Sequence, residues 1–426
     1  MSGARGCIVE GAYSYWVVGN TVSRVNSAYS ATTLGAIGTS SGEVGIASNG
    51  LEILIVDGAS GWIVNIAAGT LTEIVDVDFP SGVKRATYQD GFFCVAGDGT
   101  QRFYINQSPN VGSDWDGLDF ASAEGSPDHT IGIISDHREL WLFGERSAEV
   151  WVNTGNSDFP FERSGNAFIE HGCAAAGTIA KIDNTVFWLG SDASGAGIVW
   201  RADGYTPRRV STHAIEKAIA GYTISDAIAF TYQQEGHSFY VLTFPTDSKT
   251  WVYDAATQLW HERAWRDPST NELYRWRPAC HCYFNSEHLV GDYSDGRVYA
   301  LDLDTYTDDG DPIKRIRATA STEHEQKRVF YNSLTIDMET GVGLASGQGS
   351  APLLMVRWSD DGGHTWTSGT TVGIGGIGVG GIGEYDTQVK LSRLGSGRNR
   401  VWEISMTDPV KFAVFGAVAE VKLGKF

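Results

Sequence analysis

Short apolar and aromatic runs, separated by polar turns, recur along residues 10–302. The repeating unit is a turn rich in Gly, Asp or Asn, a strand, a second such turn and another strand. Its copies are EGAYSYWVVGNTVSRVN from Glu10, NGLEILIVDGASGWIVNI from Asn49, DGFFCVAGDGTQRFYIN from Asp90 and HRELWLFGERSAEVWVN from His137. DNTVFWLGSDASGAGIVWRADG from Asp183, EGHSFYVLTFPTDSKTWVYD from Glu235 and SEHLVGDYSDGRVYALD from Ser286 complete the series. Their starts lie 39, 41, 47, 46, 52 and 51 residues apart. Hairpins at such a period predict a β-propeller with one four-stranded blade per repeat, because a blade cannot bury both its faces alone and must stack on neighbours. Each hairpin is expected to form the inner-to-middle part of a blade, with the weaker segments supplying the outer strands. Seven copies predict about seven blades, with six as the alternative count.

One segment breaks the strand rhythm. STHAIEKAIAGY, Ser211 to Tyr222, has Ser211 or Thr212 as N-cap, Ala214, Ile215, Ala218 and Ile219 on an inner face, and Glu216 and Lys217 on the wet side. It predicts a short helix connecting two blades. After Asp311 the pattern changes to a charged stretch and then longer alternating strands, among them VFYNSLTID, PLLMVRWSD, RVWEISMTD and KFAVFGAVAEVKLG. The fold predicted is all-β: a propeller over residues 1–312 and a C-terminal antiparallel β-sandwich-like domain over 313–426. In the competing reading the second segment completes the propeller.

Composition sharpens this picture. The 52 Gly, with 14 Trp, 17 Tyr and 18 Phe, suit many tight turns between short, well-packed strands and exclude a disordered chain. A net charge of −19 argues against a protein that grips nucleic acid by its phosphates, while leaving room for one that DNA slides past. Cys7, Cys94, Cys173, Cys280 and Cys282 are odd in number and scattered, as expected of apolar residues in a reduced compartment. The start carries no apolar run of signal-peptide length, and no stretch approaches 18 apolar residues, so a soluble chain without membrane insertion is expected.

Several motifs invite a chemical reading. SDDGGHTW, from Ser359, has the spacing of an Asp box, a turn of sialidases and other propellers: Ser359, Asp361, Gly363, Thr365 and Trp366. Asp361 can accept from turn amides, Gly362 or Gly363 can take a positive φ, and Trp366 can pack beneath. A sialidase-like enzyme would also need an arginine cluster and a Tyr nucleophile with its Glu partner, and no arginine-led motif stands near the first strands. The box reads as scaffold. GIGGIGVGG holds a GxGxxG spacing at Gly373, Gly375 and Gly378, but no helix pattern follows it, so it reads as a loop. Ile374, Ile377, Val379 and Ile382 would then stand in water unless that loop orders against a neighbouring subunit. Cys280–His281–Cys282 and the His171/Cys173 pair read as core strand, and the acidic run Asp302 to Asp311 as a solvated loop that lacks the EF-hand order. No catalytic, cofactor or metal residues are assigned.

Five stretches stand out together: HTIGIISDHRELWLFGERSAEVWVNTG (His129 to Gly155), HGCAAAGTIAKIDNTVFWLGSD (from His171), PRRVSTHAIEKAIAGYT (to Thr223), MVRWSDDGGHTWT and LSRLGSGRNRVWEISMTDPVKFAVFGAVAEVKLG. In them the chain resembles the podovirus packaged-DNA stabilization proteins, the tail hub or nozzle component of P22-like phages. Their order is kept, and the similarity spans nearly the whole chain. It implies a non-enzymatic homohexamer in the virion tail, assembled in the host bacterial cytoplasm. Such a ring continues the DNA channel below the head–tail adaptor ring, retains packaged DNA until ejection, and carries the tail needle or tip and the tailspikes or fibres. Two departures from the family stand out: Met1 lies almost inside the first blade strand, and the loop Val372 to Gly383 is longer than usual. The alternatives are a carbohydrate-binding or glycan-hydrolysing, sialidase-like propeller and a monomeric interaction scaffold.

Overall fold

The computed structural model describes residues 3–192, 195–374, 383, 385 and 388–424. The chain divides into two compact units. The first is a ring of consecutive antiparallel meanders. Blade 1 has strands Ala4–Glu10, Tyr13–Val18, Thr21–Asn26 and Ala31–Ala36; blade 2 has Gly45–Ser48, Glu52–Val56, Gly61–Asn65 and Thr70–Glu73. Blade 3 runs from Arg85–Gln89 to Trp115–Ser122 and blade 4 from Thr130–Asp136 to Phe161–Ile169. In blade 5 Gly172–Cys173 and Ala180–Ile182 share the first position, and Thr206–Arg209 is last. Blade 6 runs from Ile228–Gln234 to Leu259–Glu262, and the three-stranded blade 7 from Pro278–Phe284 to Val298–Leu301.

The aromatic hairpins legible in the sequence are the second and third strands of each blade, not its inner-to-middle pair. The weaker segments supply the first strand as well as the fourth. The reason is burial. Second strands are flanked on both edges and packed on both faces, so they read as apolar runs, such as the largely buried EILIV and ELWLF. First strands border the axis and are mixed, as in Ile228–Gln234, IAFTYQQ. First and second strands are joined in five blades by two-residue turns with both φ positive: Asp90-Gly91, His137-Arg138, Asp183-Asn184, Glu235-Gly236 and Asn285-Ser286. This type I′ geometry matches the right-handed twist of the strands it joins. The ring closes without strand exchange: Ala4 and Trp16 of blade 1 share a buried cluster with Cys280, Cys282, Phe284 and Leu289 of blade 7.

The predicted helix spans His213–Ile219 between blades 5 and 6, with Thr212 Oγ1 accepting from Ile215 N–H. Ile215 and Ile219 are buried, while Ala214 is exposed. Glu216 is not a wet-face residue; it accepts from Ser211 Oγ at 2.7 Å and pairs with Arg209. Removing the cap in Thr212→Ala is expected to cost about 1 kcal/mol, read as a shift in the denaturation midpoint of the propeller.

The second unit comprises 302–426 together with 265–273, an excursion from the propeller sequence. Two sheets enclose its core. In one, Val329–Met338 is flanked by Val414–Leu423 on one edge and by Val389–Ser392 and Ser396–Gly397 on the other. The other is ordered Arg315–Ala318, Asn399–Met406, Leu353–Ser359, Thr370–Gly373. Leu334, Ile336, Leu354, Val356, Trp402 and Met406 meet between them. Ile374 belongs to this core. It is fully buried, its N–H donates to Pro352 O and its carbonyl accepts from Gly341 N–H, so it is a packing residue and not an exposed subunit contact. Ile377, Val379 and Ile382 lie outside the described residues.

Candidate functional site

The Asp box forms as its spacing requires, and it lies in the second unit. Thr365 N–H and Oγ1–H donate to the two Asp361 oxygens at 2.8 and 2.6 Å, and Ser359 Oγ–H donates to Oδ1 at 2.7 Å. These bonds hold the Asp361 carboxyl well below the usual carboxylate range, the Thr365 hydroxyl contributing most. Gly363 N–H donates to Ser359 Oγ, Trp366 Nε1–H to Gly363 O, and Gly362 and Gly363 have φ of 74° and 100°. The Arg357 guanidinium lies 4.7 Å above the Trp366 ring. All five box residues are thus brought together, and both carboxylate oxygens of Asp361 are engaged inside the turn.

Two charged pairs flank the box. Arg357 grips Glu403 on the neighbouring strand through two bonds of 2.6 and 2.9 Å, the residues being directly paired in register. Arg400, fully buried, grips Asp360 through bonds of 2.6 and 2.8 Å and donates to Leu394 O at 2.6 Å. Tyr331, Trp402 and Trp358 surround its guanidinium at 4.2, 5.0 and 5.2 Å. A buried charge tolerates such a place only when its hydrogen bonds are met.

In the propeller, the feature that sequence reasoning missed lies at the axis. Glu43, just before blade 2, pairs with Arg85 at the start of blade 3. It also reaches the opposite side of the ring: a Cβ on Gly177, in blade 5, would fall 1.8 Å from Glu43 Oε1 and 3.0 Å from Ala227 O. A side chain from blade 2 that touches blade 5 must cross the middle of the ring, so Glu43 spans the axis at this level. Gly177 is the residue that leaves it room. Beside it, the Arg5 guanidinium donates to the carbonyls of Gly19, Thr39, Ser41 and Gly42. Glu43 and Arg85 are 42 residues apart and carry no shared motif, which is why periodicity could not find them.

The soft-ligand candidates resolve as packing. Cys280 and Cys282 are buried on one strand face, and Cys7 joins them across the seam between blades 7 and 1. The neighbouring thiols Cys280 and Cys282, followed by burial, push the Cys7 thiol well above its ordinary value. Cys173 donates to Ala175 O at 3.1 Å, and burial pushes its thiol up to about 11. His171 stacks on Trp200 at 4.3 Å. Asp302 accepts from Thr305 Oγ1 and Asp304 N–H in a local turn. Among the described residues no group of three His, Cys, Asp or Glu side chains is placed to hold a metal ion.

Charge is divided unequally. Residues 313–426 carry 13 Lys and Arg against 11 Asp and Glu, leaving 19 against 40 for residues 1–312. All the excess negative charge is therefore carried by residues 1–312.

Comparison with known proteins follows the same division. Residues 4–306 match the family model described as bacteriophage P22 Gp10, beta-propeller, and residues 314–422 match bacteriophage P22 Gp10, beta-sandwich. No curated protein matches the chain in sequence. Solved structures with partial likeness include PorZ of the type-IX secretion system of Porphyromonas gingivalis, at 12% identity and TM-score 0.42, over 88% of this chain and 45% of that one. A chain of the mitotic checkpoint complex follows at 9% identity and TM-score 0.45, covering 70% of this chain and 86% of that one. The extracellular domain of a putative hybrid two-component system of B. thetaiotaomicron has 11% identity and TM-score 0.47, with 78% and 43% covered. The chain spans less than half the length of the first and third of these. With both domain models matched in order and together spanning nearly all of its length, the chain belongs to the bacteriophage P22 Gp10 family of virion tail proteins that stabilise packaged DNA.

Proposed function

We propose that this protein is the hexameric hub, or nozzle, of a short phage tail. It would continue the DNA channel below the head–tail adaptor ring, help retain the packaged genome, and carry the tail needle or tip and the tailspikes or fibres. The observation that carries the reading is the ordered match of both domains to the P22 Gp10 family. Charge supports it. Six copies would bring together roughly −114 formal charges, from −19 per chain. A passage lined by propeller carboxylates repels phosphate and lets a duplex slide without sticking. Glu43 spanning the propeller axis supports one further detail: a duplex would run along the common axis of the ring of subunits and through no single propeller.

The role is structural, without catalysis. A glycan-cleaving reading needs carboxylates and arginines converging free at one end of the axis. Glu43 and Arg85, near the axis, are engaged with each other, and Arg5 with backbone carbonyls. Light scattering of the purified chain, with negative-stain images of the same peak, tests the proposal. The expected result is a six-fold ring of the 46.1-kDa chain with a central hole wide enough for duplex DNA. A chain that stays monomeric even beside its adaptor ring would overturn it.

A further inference from the structure

The propeller chain must close end to end at one seam, between blade 7 and blade 1. Among the described residues that seam has no sheet pairing: the strands of blade 1 and of blade 7 bond only within their own blades. It is held by the buried cluster around Trp16 and, at its exposed rim, by side-chain hydrogen bonds. Tyr29 donates to Glu287 at 2.6 Å, and Asn285 to Ser27 O at 3.4 Å. Three of the five cysteines lie in this seam, Cys7 partly exposed, Cys280 and Cys282 buried.

Strand alternation aims these thiols at one another. Gly6 faces blade 2, since a Cβ there would fall 2.8 Å from Ile46 Cδ1 and 2.9 Å from Val44 Cγ2. Its neighbour Cys7 therefore points toward blade 7, where it packs against the cluster of Cys280, Cys282, Phe284 and Leu289. On blade 7, His281 turns to Phe230 and Tyr232 of blade 6, so Cys280 and Cys282 on either side of it turn to blade 1. Cys280 reaches into blade 1. A Cβ on Gly291, its partner in register, would meet Ala4 Cβ at 2.5 Å, and Cys280 Sγ and a Trp16 ring carbon each at 3.1 Å. Cys7 is the register partner of Trp16. Both thiols therefore border the same indole, one from each blade. Of all its surroundings, the Cys280 thiol raises the Cys7 thiol most.

We propose that Cys7 and Cys280 join in a disulfide that locks the propeller shut once the protein leaves a reducing compartment. The family is one of virion tail proteins, and a released particle meets oxidants that a cytosol holds in check. The oxidant is a small disulfide such as oxidised glutathione. The accessible Cys7 sulfur loses its proton and attacks it, forming a mixed disulfide and releasing one small thiolate. The Cys280 sulfur, after losing its own proton, attacks the Cys7 sulfur and releases the second. Two protein thiols are oxidised, one small disulfide is reduced to two thiols, and the two protons pass to them. Because the neighbouring thiols and burial keep Cys7 protonated, the reaction is slow at neutral pH and speeds up as pH rises. Cys7 and Cys280 lie near opposite ends of the propeller sequence, so the link encloses almost all of it, the case in which a cross-link restricts the unfolded chain most. The lock concerns the closure of one propeller and is independent of the hexamer.

The test incubates the full chain with oxidised glutathione at about pH 8.5 and maps its tryptic peptides before and after reduction. Peptides Gly6–Arg24 and Trp276–Arg297 should be found linked, and fragmentation of the linked pair should place the bond at Cys280 without any substitution. Oxidation should raise the thermal midpoint by about 5–10 °C, and dithiothreitol should return it. Cys282→Ala should keep both the link and the shift, whereas Cys7→Ala should lose both. A bond from Cys7 to Cys282, a Cys280–Cys282 pair, glutathione alone on Cys7, or thiols that stay free would each overturn the lock. So would a Cys7–Cys280 link that leaves the midpoint where it was.

Discussion

Replacing Arg400 with alanine is expected to destabilise the C-terminal domain by about 3 kcal/mol, the lower end of the cost of breaking a buried ion pair. The substitution removes both bonds to Asp360, the bond to Leu394 O, and the cation from between Tyr331, Trp358 and Trp402. Asp360 is partly exposed, so water can rehydrate its carboxylate, which keeps the loss from being larger. Urea unfolding of the full chain, followed by tryptophan fluorescence, reads this directly because Trp358 and Trp402 flank the guanidinium. Asp360→Asn keeps the packing and weakens only the charge, and should cost less than half as much. If Arg400→Ala shifts the transition by under about 1 kcal/mol, the pair is a surface ornament and the assignment is wrong.

Acid is expected to weaken the propeller at the seam between blades 6 and 7. His281 and His288 share a hydrogen bond of 3.1 Å, with Tyr232 and Phe230 packed around His281. Nearby, Arg263 is held over Trp276, Phe239 and Tyr232 at 4.7, 5.1 and 5.6 Å, so that the seam already contains a cation. Burial, followed by the charge of His288, lowers His281 to about 4. The unfolded chain protonates this imidazole near 6.5, and the folded chain does so only near 4. As pH falls through that window the unfolded state binds more protons, and stability falls with it, levelling off below about 4. The full loss is on the order of 3 kcal/mol. His281→Phe keeps a ring in place and removes the proton site. Its midpoint should therefore change less between pH 7 and 4.5 than that of the unaltered protein. Equal slopes for the two proteins would show that His281 does not carry the effect.

These two groups illustrate what could and could not be read along the chain. The Asp box was legible to the residue, because Ser359, Asp361, Gly363, Thr365 and Trp366 interact within one turn, and local spacing decides such bonds. The helix start was legible for the same reason, with Ser211 or Thr212 as its cap, and the structure decides for Thr212. The blade hairpins were found, but their place in the blade was misassigned. A run of apolar residues reports how deeply a strand is buried, whereas its distance from the axis depends on which strand follows. Ile374 was misread as wet because a Gly-rich neighbourhood resembles a surface loop, and the sandwich core that receives it is built largely from distant strands.

By itself, then, the sequence determined the all-β character, the repeat of about seven hairpins, the change of rhythm after Asp311 and the self-contained turn at Ser359. Each follows from steric and burial preferences that act over a few residues. Only the tertiary structure decided that Glu43 crosses the axis to blade 5, that Arg400 lies between three aromatic rings, and that His281 meets His288 at a blade seam. It also decided that 265–273 joins the second unit and that Cys7 meets Cys280 and Cys282 across the closing seam of the ring. Those placements depend on strand register and on how a chain of blades closes into a ring, which bring together side chains whose separation in sequence carries no local signal.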